Sequence, residues 1–94
     1  MKLICEIEDV FDMADRGCVV VPGISCDVEF LVPVGSSLLI VTPKGEQIST
    51  SVKGVELINS RVKPVKVNPI LLPRDIAKEQ LVIGSKVYLV NEAG

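Results

Sequence analysis

Histidine and tryptophan are absent from this 94-residue chain, and one tyrosine and two phenylalanines supply all of its aromatic rings. Without histidine there is no Ser–His or Cys–His pair to generate a nucleophile, and a principal zinc donor is missing. The three cysteines, Cys5, Cys18 and Cys26, are odd in number, form no C-x-x-C spacing and fall at apolar positions of predicted strands. Buried, reduced thiols in a cytoplasmic protein are therefore expected, with no metal site. Neither G-x-x-x-x-G-K-[ST] nor G-x-G-x-x-G occurs, which removes two phosphate-cradling loops and predicts a chain with no nucleotide cofactor.

Long apolar runs are missing as well. The longest runs, such as residues 30–34 and 38–41, fall far short of the roughly 18 residues that a membrane helix needs, and the start lacks the basic-then-apolar order of a signal peptide. The expectation is a protein that is not exported and has no membrane partner. Nor is there a large excess of one charge: the formal net charge is −2. The signs are nonetheless divided, because residues 1–30 hold Lys2 and Arg16 against Glu6, Glu8, Asp9, Asp12, Asp15, Asp27 and Glu29, a net of −5 that leaves +3 for the remainder. Only Arg61, Lys63 and Lys66 form a basic cluster. With so few aromatics and an acidic first third, the chain is poorly equipped for a general grip on nucleic acid.

Valine, isoleucine and leucine are abundant. Hydrophobic residues make up 48% of the chain, and the β-branched ones favour a pleated, half-buried surface. A single domain, residues 1–94, is organised around residues 7–21, which read as a strand, a tight turn bearing Gly17 and a returning strand. Leu3, Cys5, Ile7 and Phe11 share one face and Lys2, Glu6 and Glu8 the other, the period of a strand. Asp9 falls on the apolar face, where backbone N–H groups or the Arg16 guanidinium would satisfy it, unless a bulge turns it to solvent. Pro22 and Gly23 end the returning strand.

Further strands are predicted at residues 24–30, 38–41, 46–58, 65–72 and 86–90. Thr42-Pro43-Lys44-Gly45 is a turn, Gly54 a bulge or barrel corner, and Pro69 demands an edge or a bulge. Residues 73–80 suffice for one helical turn, and no window sustains the 3.6-residue apolar period of a longer helix. Leu3, Ile7, Val19, Cys26, Val28, Leu39, Val52, Leu71 and Val87 are the predicted core. The fold class is all-β: a small closed antiparallel β-barrel of about six strands, since closure removes open sheet edges. Glu6, Glu8 and Asp9 lie too close along one strand for opposed acid and base roles, so no catalytic residue and no enzyme activity are expected.

Ile7-Glu8-Asp9-Val10-Phe11 followed by Arg16-Gly17-Cys18-Val19-Val20 resembles the opening of the second domain of translational GTPases, above all elongation factor Tu. Val34-Gly35, Ser51-Val52-Lys53-Gly54-Val55-Glu56, Asn68 before Ile70-Leu71-Leu72, and residues 76–84 resemble that domain in order and spacing. The resemblance covers almost the whole chain and implies Greek-key links within the barrel. In elongation factor Tu this domain helps hold the aminoacylated 3′ end of transfer RNA. The positions resembling that pocket are Glu8, Asp9, Phe11 and Asn68, with Arg16 and Gly17 at the structural turn. Val21 stands where the family has Thr, Pro22-Gly23 where it has Gly-Arg, and Asp15 where it has the first Gly of Gly-Arg-Gly. The segment 23–35 is a few residues longer than in the family, whose nucleotide-binding domain has no counterpart in these residues.

What the resemblance implies is a non-enzymatic binding module, with no cofactor, that engages a translation factor or a ribosome-associated protein and binds RNA weakly. Two other readings remain open. One is a mimic, inhibitor or immunity-type protein directed at a translation factor's partner or a toxin; the other is a structural or oligomerising barrel with no translation role.

Overall fold

Period-two alternation of aliphatic side chains becomes two antiparallel sheets. The computed structural model describes residues 1–25, 32–55 and 67–90. Its strands are β1 (Lys2–Glu6), β2 (Asp9–Asp12), β3 (Cys18–Ser25), β4 (Ser37–Val41), β5 (Gln47–Ser51), β6 (Gly54–Val55), β7 (Val67–Leu71) and β8 (Lys86–Leu89). They pair in the orders β1-β8-β4-β5 and β2-β3-β7-β6. The one helical element among the described residues is a 3₁₀ turn, Lys78–Gln80, within the segment expected to make a single helical turn. No helix among them is long and apolar enough to cross a membrane.

Each sheet contributes an aliphatic row to a shared core. In the first, Cys5, Val87, Ile40 and Ile48 lie side by side across four strands. In the second the row is Val10, Val20, Ile70 and Val55. These residues pack into one cluster with Leu38, Val52, Leu72, Ile76 and Leu81, and full burial of each large aliphatic side chain contributes about 1.5–3 kcal/mol. Thr42 and Ser85 are the buried polar side chains among the described residues. Thr42 Oγ1 accepts the Glu46 N–H at 3.0 Å, whereas the Ser85 hydroxyl has no hydrogen-bond partner among the described residues.

Two edge strands pass from one sheet to the other with almost no loop. Between β1 and β2, the Ile7 N–H donates to the Ser85 carbonyl at 2.8 Å and the Gly84 N–H donates to the Ile7 carbonyl at 2.9 Å, while the Glu8 N–H donates to the Val21 carbonyl at 2.9 Å. Between β5 and β6, the Val52 N–H donates to the Ser36 carbonyl at 2.9 Å, and the Lys53 N–H donates to the Leu71 carbonyl at 2.9 Å. Adjacent residues on each path are thus bonded into different sheets, so the N–H groups at the crossings stay satisfied.

These crossings and a bulge in β1 reset the side-chain phase. Cys5 pairs with Val87 and Leu3 with Tyr88, leaving Ile4 as an extra residue. Ile4 and Cys5 both turn inward, and Leu3 is 50% exposed rather than in the core. The crossing at Ile7 and Glu8 shifts the phase again: Val10 is buried and Phe11, expected on the same face as Ile7, is half exposed. Asp9 is exposed, the outcome expected if the chain turned it to solvent. Leu39 is also outside the core, because β4 points Leu38 and Ile40 inward and Leu39 outward beside Tyr88 and Ser49. Ile7, Val52 and Val87 are core residues as expected. Val19 and Leu71 are buried too, but on the outer face, next to the inward Val20 and Ile70.

Pro22 and Gly23 do not end β3, which continues to Ser25. Its ladder to β7 is irregular between Val20 and Ile24, while the facing strand advances only from Ile70 to Asn68. The bulge accommodates Pro22, which has no N–H to donate, and it faces Pro69, satisfying the requirement that a strand proline sit at an irregularity. Gly23, at φ +86°, allows the close approach: a Cβ there would fall on the Asn68 carbonyl oxygen and 2.6 Å from Pro69 Cα. Expectations for Cys26, Val28, Arg61, Lys63 and Lys66 lie outside the described residues.

Candidate docking face on the β2–β3 hairpin

Of the positions singled out in the sequence, Asp9 and Phe11 lie on β2 and Asn68 on β7 of the second sheet, with Glu8 just before β2. β2 and β3 pair from Asp9 opposite Val21 to Asp12 opposite Cys18, and the ladder continues into the turn, where the Met13 N–H donates to the Gly17 carbonyl at 2.8 Å and the Arg16 N–H donates to the Met13 carbonyl at 3.1 Å. Two carboxylates brace this hairpin locally. Asp9 Oδ1 accepts the Val10 N–H at 2.8 Å and Asp12 Oδ1 accepts the Ala14 N–H at 3.0 Å, the short-range bonding that makes aspartate a turn residue.

The tip is also tied to the rest of the sheet. Lys53 Nζ donates to the Arg16 carbonyl at 3.3 Å. Gly17, at φ +119°, packs so closely that a Cβ would fall on the Leu72 carbonyl oxygen, and the Leu72 N–H donates to the Cys18 carbonyl at 2.8 Å. Arg16 and Gly17, the pair placed at the structural turn, thus supply a carbonyl acceptor and a close backbone contact. Lys53 is a participant that sequence alone gave no reason to select.

Glu8, Asp9 and Phe11 are adjacent and exposed on the β2 side of the hairpin. Asn68 is separated from them by β3: it pairs opposite Ile24 and is half buried. Neighbouring strands are about 4.8 Å apart, so Asn68, opposite Ile24 and beyond the Asp9–Val21 end of the β2 ladder, lies more than about 10 Å from Phe11. The four positions therefore do not form one pocket: Asn68 shares the inward face of Ile24 and Ile70, whereas Phe11 faces outward with Val19, and Glu8 precedes β2. On the outer face Phe11, Val19 and Leu71 form an apolar row. Val19 and Leu71 are 6% and 7% exposed, so the row surfaces at Phe11.

A separate cleft of about 360 Å³ opens between the turn at residues 42–46 and the 3₁₀ turn, with Thr42, Lys44, Glu46, Ile48, Glu79 and Val82 among its lining. None of the family-like positions contributes to it. No group of three or more metal-ligating side chains occurs among the described residues. The buried thiols are held protonated. Burial raises the Cys5 pKa, as does the charge of Glu8, against a lowering backbone hydrogen bond from Gly23. Burial, then the charges of Asp12 and Glu79, raises that of Cys18, opposed by Lys78. These surroundings suppress the thiolate that nucleophilic chemistry requires.

No family model, curated protein or solved structure matches the chain.

Proposed function

We propose that this chain is a non-enzymatic binding module of the elongation factor Tu second-domain type, and that the outward hairpin face around Phe11 engages a protein partner of translation. Phe11 carries the docking reading. A half-exposed aromatic on a strand braced at both ends offers apolar area with little ordering cost on binding, and aromatic side chains are favoured as interface anchors.

The barrel reading is supported by the two crossings. β1 and β2 are the edge strands of different sheets and follow one another through Ile7 and Glu8, as β5 and β6 do through Val52 and Lys53. Treating each pair as one bent strand joins the two sheets into a six-stranded ring, a closed barrel with Greek-key connections. A protein partner is favoured over transfer RNA for two reasons. Exposed Glu8, Asp9, Asp12 and Asp15 oppose a polyanion, and Val21 lacks the hydroxyl that the family presents at this wall, whose loss leaves a ligand group unpaired at about 1–3 kcal/mol.

The test is purification of the tagged chain from its own cells, alongside a Phe11→Ser variant. The expected result is a discrete translation-related protein that is lost with the variant while thermal unfolding is unchanged. Retention of every partner by the variant removes the docking reading. Micromolar binding of aminoacyl-transfer RNA at about 0.1 M salt, lost in Asn68→Ala, would instead restore the RNA role.

A further inference from the structure

The geometry points to a specific chemistry for the partner: we propose that the hairpin from Glu8 to Gly17 docks a protein surface whose apolar contact is ringed by lysine and arginine. This rests on the binding-module reading and adds the charge rule by which the partner is selected. Phe11 and Met13, 50% and 40% exposed, stand two positions apart on β2 and its continuation. Strand alternation places both on the same side of the hairpin. The same alternation puts Asp9 on that side, while Glu8 and Asp12 border it from neighbouring positions and Asp15 lies in the turn; all four are exposed, against Arg16 in the hairpin and Lys53, whose Nζ reaches the Arg16 carbonyl. An apolar pair within a rim of carboxylates is complementary to an apolar pair within a rim of cations. Such rims govern encounter rate and partner choice more than they govern affinity.

The same pattern disfavours the other occupants. A second copy of the chain meeting this face symmetrically would oppose like charges, and RNA would bring phosphates against the carboxylates. The hairpin is preorganised for a partner, because Asp9 and Asp12 cap neighbouring N–H groups, Lys53 holds the Arg16 carbonyl and Gly17 sits against Leu72. Binding therefore need not order the hairpin. The apolar area offered by two partly exposed side chains is small compared with the roughly 1,200 Å² or more of a stable interface, which assigns the contact to the transient class.

The test follows backbone amide signals of the isotope-labelled full chain during titration with acetyl-GKLFKKG-amide, with its counterpart acetyl-GELFEEG-amide and with polyuridylate. The lysine peptide should shift amides of residues 9–17, with a Kd on the order of 10–100 μM. A Phe11→Ser/Met13→Ser variant should weaken this about tenfold, and raising salt from about 50 to about 300 mM should weaken it several-fold. The glutamate peptide and the RNA should leave the hairpin unshifted. Equal binding of the two peptides, shifts that map elsewhere, or binding that survives the double substitution would overturn the inference. Such a failure is separable from failure of the module reading, which is decided by the cellular complex and not by charge.

Discussion

The Asp9 carboxylate accepts the N–H of Val10, its immediate neighbour on β2, at 2.8 Å. Asp9 lies at the start of an edge strand of the second sheet, just after the chain leaves the first. The Asp9 side chain thus has a local structural role. Asp9→Ala should lower stability by about 1 kcal/mol, and Asp9→Asn by less because the amide oxygen remains an acceptor. Urea unfolding midpoints of the two variants check this; an unchanged midpoint for Asp9→Ala would leave the carboxylate with no structural role.

Gly17 and Gly23 combine positive φ with backbone oxygens where a Cβ would stand. Alanine at either site must strain the backbone and displace Leu72 or Asn68, at a cost of more than about 1 kcal/mol. Thermal unfolding of Gly17→Ala and Gly23→Ala should show large losses, and retention of wild-type stability would contradict the close packing of the hairpin on residue 72.

Leu38 and Leu39 are neighbours with opposite environments. Leu38→Ala leaves a cavity in the core and should cost about 2–5 kcal/mol, whereas Leu39→Ala removes a half-buried outward side chain and should cost less than half as much. Comparable losses would mean that the phase of β4 is wrong.

Ser85 presents the reverse case. Its hydroxyl is buried without a partner among the described residues, so Ser85→Ala removes a group that gains no hydrogen bond there. The variant should be as stable as the parent or more stable by up to about 1 kcal/mol. A marked loss in differential scanning calorimetry would reveal a hydrogen bond to that hydroxyl.

The thiols predict an alkaline limit. Cys5 and Cys18 have raised pKa values in the fold, so the unfolded chain releases these protons first as pH rises. Their protonated forms give full stability below the ordinary thiol value of about 8.5, and that contribution is lost as pH climbs from there through the folded values. Urea midpoints from pH 7 to about 10 should fall above about 8.5, and a Cys5→Ala/Cys18→Ala variant should show a shallower decline. An identical pH dependence in the variant would assign the decline to other groups.

The β class, the β2–β3 hairpin, the turn at residues 42–45 and the final strand were legible because each depends on local rules: alternation, β-branching and turn-forming Asp, Pro and Gly. The apolar faces of Ile7 and Val87 followed from the same rules. Local rules do not count bulges or foresee where a strand changes sheets. Ile4 as an inserted residue, the crossing at Ile7 and Glu8, and the irregularity between Val20 and Ile24 each arise from pairing with distant strands. Because side chains change face with every one-residue shift, those events moved Leu3 and Phe11 outward. They also placed Asn68 across β3 from the acidic end of β2. The sequence by itself determined which segments could be strands and that the first third is acidic. The tertiary structure decided which of those residues face solvent, because only long-range hydrogen bonds set the register.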